Sequence, residues 1–188
     1  QKDRTLLYCF NCDEEIGEVI PKIFFFYESF FFLFNIFIFV FIIGTSFYFF
    51  ENYTEWQFAA GFTFLFTLTL ASVAFHEFFH AFFAFIFGDY TVFSKKYLRL
   101  NIFKYIDNFG SFFLPLIVFF FSGIFSPGAV VFINENNIRY RVFHFIVDIS
   151  GIFSQVIFLL GILFILNSYN NFLSNDFITL LHTAAFFQ

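Results

Sequence analysis

The residues best placed to do chemistry lie in the stretch ASVAFHEFFHAFFAFIFGDYT, from Ala71 to Thr91. His76 and His80 are four apart, so on a helix they project from one face, as two imidazoles must to share a tetrahedral metal. Glu77 lies about 100° around the same helix, close enough to reach a water held at the metal without being a ligand itself. In this H-E-x-x-H pattern zinc lowers a water's pKa toward about 7, and the glutamate takes its proton as the oxygen attacks a peptide carbonyl. The bland alternative is three polar residues facing a bundle interior and paired to neighbours. The oily surroundings weigh against it, because an ionisable side chain at membrane depth is costly unless compensated and marks a functional site by default.

The elements that must position these residues are membrane helices. Of 188 residues, 60% are apolar and 12% charged, against about 45–50% and about 25% in ordinary globular domains. That balance excludes a soluble globular enzyme. Apolar runs at residues 23–50, 58–87, 111–125 and 142–166 are long enough, or nearly so, to cross a core of about 30 Å at 1.5 Å per residue. A fifth run, 177–187, stops before it could span. The expected fold is an all-α polytopic membrane protein of four to five transmembrane helices. A small β-hairpin is expected at residues 129–143, where β-branched and aromatic residues flank the turn-forming Asn134-Glu135-Asn136-Asn137. Residues 1–22 read as an extramembrane segment and 23–188 as one membrane domain. The chain contains no methionine, so it is expected to be a processed product or an incomplete stretch of a longer one.

Orientation follows from the basic residues. Lys2, Arg4, Lys22, Lys95, Lys96, Arg99 and Lys104 fall on one side if the first two runs form a hairpin, and Arg139 and Arg141 fall opposite if the third run crosses fully. The first side is expected to face the cytosol or an organelle's matrix or stroma. The expected partners are the lipid bilayer and a transmembrane protein substrate or partner membrane subunits, with no nucleic acid. Gly44, Gly61 and Gly161 are read as points of close helix approach.

Taken together, the motifs resemble the site-2 protease family of intramembrane zinc metalloproteases over residues 71–156. HEFFHAFFAFIFGD (His76 to Asp89) is similar to the family's metal motif with its trailing Gly-Asp. LRLNIFKYIDNFGSFFLPL (Leu98 to Leu116) is similar to its Leu-Asn…Ile-Asp-Pro…Gly stretch, with Asn108 where proline is usual. SPGAVVF (Ser126 to Phe132) resembles a Pro-Gly-Ala-Val turn of some members. SGIFSQV (Ser150 to Val156) resembles the Ala-Gly-Pro-x-x-Asn helix, with Ile152 and Gln155 replacing proline and asparagine.

The resemblance implies an enzyme that cleaves peptide bonds within or near transmembrane segments, with His76 and His80 as zinc ligands, Glu77 as general base, and Gly151 and Gln155 facing substrate. His76 stands 19 residues after Gln57 and 11 before Phe87, on the basic-side half of its span, where the family places its metal. The family's third zinc ligand is an aspartate in a Leu-Asp-Gly motif, and this chain has no Asp-Gly dipeptide. That ligand is expected beyond Gln188, or the chain is a catalytically silent, protease-like subunit of a larger membrane complex. His144 and Asp148, four apart on the fourth run, are substitute candidates: one could complete the metal site, or the two could pair with each other. Cys9 and Cys12, in YCFNCDEEIG, resemble one knuckle of a zinc ribbon, a candidate second zinc site lacking its other pair of ligands.

Overall fold

The computed structural model describes residues 22–105, 129–138, 140–169 and 172–186. In chain order the helices are α1 (Lys22–Asn52), α2 (Gln57–Ile86), the single turns α3 (Thr91–Ser94) and α4 (Ile102–Tyr105), then α5 (Arg141–Tyr169) and α6 (Asn175–Phe186). Three helical stretches, Tyr27–Asn52, Thr54–Ile86 and Arg141–Tyr169, are long and apolar enough to cross a membrane. They correspond to the first, second and fourth apolar runs. The run at 111–125 lies outside the described residues. The fifth run does form a helix, but α6 has 12 residues, about 18 Å at 1.5 Å per residue, which is short of a bilayer core.

Helix α2 sits between α1 and α5 and packs along both. Its buried positions are mostly small: Ala60, Gly61, Ala71, Ala74, Ala81 and Ala84. Helix α5 answers with Ser150, Gly151 and Ser154. Between lipid-embedded helices there is little hydrophobic drive, so association depends on backbones coming close at small residues. The large rings go elsewhere, as Phe62, Phe66 and Phe82 of α2 and Phe30, Phe34, Phe37 and Phe41 of α1 are exposed. Only one of the three glycines expected to mediate close approach does so. A Cβ on Gly61 would lie 3.0 Å from the Phe50 ring, whereas at Gly44 and Gly161 it would meet nothing within 4 Å.

The two ends of the bundle are tied differently. At one end, Ser174 takes a hydrogen bond from Phe177 N (3.2 Å), capping α6, and donates one to Glu51 (2.8 Å). Phe177 then inserts among Phe47, Phe50 and Phe64 at ring separations of 4.7, 5.5 and 5.1 Å. At the other end, Arg99 grips Glu28 with two bonds of 2.8 and 2.7 Å. Its guanidinium lies 4.5 Å from the Phe31 ring centre, and its carbonyl accepts from Asn35 (3.1 Å). These contacts hold a 3-10 turn (Tyr97–Arg99) flanked by Lys96 and Leu100, both left-handed at φ 63° and 53°. Such strain persists where surroundings over-determine it.

The predicted β-hairpin does not form among the described residues. Residues 129–134 form no strand, and Val130 N bonds to Tyr105 O at the end of α4 (2.8 Å) instead of to a second strand. A 3-10 turn follows at Glu135–Asn137, with Asn134 accepting from Asn136 N (3.2 Å). The intended second arm enters α5 at Arg141. Tertiary contact overrides β propensity there, since Phe143 stacks flat on Phe87 at 4.3 Å and joins the start of α5 to the end of α2. The same stacking corrects the charge map: Arg141 lies at the end that holds Lys95, Lys96, Arg99 and Lys104, not opposite them.

Candidate metal centre

His76 and His80 project from α2 toward α5, and their Nε2 atoms face each other at 3.1 Å. The α5 backbone fixes one of the rings. His80 Nδ1 lies 2.7 Å from the Val147 carbonyl oxygen, which can only accept, so Nδ1 carries the proton and the lone pair of a neutral ring sits on Nε2. Ser150 also donates to that carbonyl at 2.7 Å. His76 Nδ1 is buried with no hydrogen-bond partner.

Beneath the two rings lies Gly151. A Cβ there would collide with Nε2 of both histidines. Gly151 thus floors the imidazole pair, and Gln155 is half-buried one turn further along α5.

Glu77 is 8% exposed, and the Val131 backbone faces its carboxyl from residues 129–138. It opens, with His80, His144 and Asp148, onto a cavity of about 470 Å³ whose outer wall is residues 129–138. Tyr105 stands nearby, fully buried, and its hydroxyl donates to Tyr97 O at 2.6 Å. Burial first, then the Glu77 charge, pushes the Tyr105 hydroxyl above its ordinary range, so it remains a donor.

The structure therefore brings His76, Glu77, His80 and Gly151 together and leaves other candidates apart. His144 and Asp148 line the cavity, but among the described residues no three His, Cys, Asp or Glu side chains cluster closely enough to hold a metal. Nor do these two pair: Arg99 with Glu28 is the one ion pair among the described residues. Cys9 and Cys12 lie outside the described residues. Sequence reasoning gave no role to Asp89, which is fully buried and bonded to the far side of the cavity wall. The sequence marks it only as the end of the Gly-Asp that trails the metal motif, and the turn residues Asn134 and Asn137 that it meets lie in the stretch expected to form the hairpin.

The donor set suits zinc as far as it goes. Two nitrogens each about 2.05 Å from a tetrahedral metal stand about 3.3 Å apart, close to the 3.1 Å found here. A backbone carbonyl behind the second nitrogen is the usual support for a metal-binding histidine.

A curated protein is similar to part of this chain. A protein of Mycolicibacterium smegmatis described as "Putative zinc metalloprotease Rip2" is 40% identical to this chain over 67 residues, 36% of this chain and 26% of that protein. The chain thus spans about a quarter of that relative's length. No family model and no solved structure matches the chain.

Proposed function

We propose that this chain carries the metal helix of an intramembrane zinc metallopeptidase of the site-2 protease family, hydrolysing peptide bonds within or near membrane segments of membrane-protein substrates. The observation that carries the reading is the convergence of His76 and His80 Nε2 over the bare backbone of Gly151, with Glu77 beside them on a cavity. The partial identity to a protein described as a zinc metalloprotease supports it.

His76 and His80 would hold the zinc, with a further ligand from outside the described residues. When bound, zinc supplies Lewis acidity toward water and the scissile carbonyl. Glu77 receives the proton of the attacking water and passes it to the leaving amine. Val147, through His80 Nδ1, keeps the ring's lone pair aimed at the site. The Phe-rich surroundings exclude bulk water, and the cavity admits it from the basic end, which in this reading faces the cytosol or an organelle's matrix or stroma. The chain would be a multi-pass integral membrane protein whose partners are the bilayer and its substrate.

Zinc content and cleavage of a transmembrane substrate, measured on one detergent-solubilised preparation, test this. Wild type should bind zinc, and His76→Ala and His80→Ala should each lose it. Glu77→Gln should keep it while kcat falls by about 10²–10⁴-fold. Full activity in Glu77→Gln would sink the reading. A second reading, a catalytically silent subunit of a membrane complex, draws on the lack of a third donor among the described residues. It predicts neither zinc nor cleavage from a stably inserted wild-type chain.

A further inference from the structure

We infer that Asp89 is a positioning residue that ties the cavity wall, residues 129–138, to the helix bearing Glu77. The catalytic consequence rests on the peptidase reading; the tie itself does not. Helix α2 ends in a Schellman motif, with Asp89 N bonded to Ala84 O at 2.9 Å and Gly88 N to Phe85 O at 3.2 Å. Gly88 supplies the left-handed residue the motif needs, at φ 112°. Asp89 is therefore fixed to α2 as firmly as the helix itself.

Its carboxyl oxygens are fully used. Oδ1 accepts from Thr91 N (3.1 Å), Thr91 Oγ1 (2.7 Å) and Asn137 Nδ2 (2.8 Å), and Oδ2 accepts from Asn134 N (2.8 Å). Two of these four bonds come from its own turn and two from the cavity wall. The wall also packs directly on the glycine, since a Cβ on Gly88 would stand 3.1 Å from Asn137 O. A further side-chain tether to the wall is Lys95 Nζ to Phe132 O, an exposed bond of 2.9 Å. Bonds to a buried carboxylate are stronger than those water can replace. Because this wall closes the cavity onto which Glu77 opens and sets the Val131 backbone facing its carboxyl, a wall that drifts changes the surroundings of the general base.

Asp89→Asn keeps the shape and isolates one bond. The retained oxygen must face the three donors at Oδ1, which leaves the new NH2 opposed to Asn134 N–H. In hydrogen exchange on the detergent-solubilised chain, amides of residues 130–137 should exchange at least about tenfold faster, a loss of about 1.4 kcal/mol. Amides of residues 74–84 and zinc content should not change. The kcat should fall about 10- to 100-fold, with KM moving less than about threefold. Asn137→Leu, which removes a wall-side donor, should accelerate the same amides. Thr91→Val, which removes only a bond within the turn, should not.

Unchanged exchange at 130–137 in Asp89→Asn would overturn the tie, and loosened exchange with unchanged kcat would overturn the positioning role. Exchange needs no activity. An inactive wild type would therefore sink the peptidase reading and leave the tie to be decided by exchange alone.

Discussion

At the scale of single residues, Gly151 is the sharpest test of the imidazole pair. Glycine inside a helix is less stable than alanine by about 1 kcal/mol, so Gly→Ala on an open helix face should be neutral or stabilising. That outcome is expected for Gly161→Ala and Gly44→Ala, where a Cβ meets nothing within 4 Å. At Gly151 the Cβ would overlap both Nε2 atoms, and overpacking of about 1–3 kcal/mol outweighs the propensity gain. Gly151→Ala should therefore weaken zinc binding by at least about tenfold with helix content unchanged, measured by competition with a chelator and by circular dichroism. Wild-type affinity in this variant would mean the rings do not converge over that glycine. The histidines were legible in sequence because two residues four apart must share a helix face whatever surrounds them. The function of Gly151 was not, because it depends on which residues of another helix lie opposite, and nothing in a one-dimensional pattern states that.

At the scale of elements, the apolar runs gave α1, α2 and α5 almost to their ends, since a stretch of that length with few charges has only one stable form in lipid. The segment 129–143 failed for the reciprocal reason. Its alternation of β-branched and aromatic residues was real, but the partners that satisfied its backbone and side chains were Tyr105, Lys95 and Asp89, distant in sequence. Glu28 is half-legible: a carboxylate near the start of α1 can reach the interface, but nothing in the sequence says that Arg99 meets it with two bonds. That pair joins α1 to the loop before α4 at a site where Glu28 is 8% and Arg99 20% exposed. Hydrogen bonds to charged groups contribute about 1.5–3 kcal/mol, and partial exposure of Arg99 argues for the lower half. Glu28→Gln should destabilise the chain by about 1–2 kcal/mol, seen as a lower midpoint in detergent unfolding. Limited proteolysis should then cut first within residues 94–105, and Glu28→Leu combined with Arg99→Leu should recover part of the loss, because no buried charge is then left unpaired. A midpoint unmoved in Glu28→Gln would show that the pair adds nothing to the docking of α1.

At the scale of the whole molecule, the basic residues are gathered at one end more completely than the sequence suggested. Antiparallel α1 and α2, with α5 beginning beside the end of α2, put Lys95, Lys96, Arg99, Lys104 and Arg141 at one end. Glu51, Glu55 and Asp176 lie at the other, where no described residue is basic. Lysine and arginine in short loops set orientation far more than acidic residues do. The end carrying the cavity should therefore face the cytosol or its organellar equivalent, and the acidic end the opposite compartment. Single cysteines at Lys95→Cys and Glu55→Cys, each with Cys9→Ser and Cys12→Ser, would read this directly. An impermeant maleimide applied from the opposite compartment should label the Glu55 position at once and the Lys95 position only after the membrane is opened. The reverse pattern would overturn the orientation, and with it the route proposed for water to Glu77. Equal labelling of both positions from one side would overturn the assignment of α2 as a span, because only a crossing helix can separate residues at its two ends.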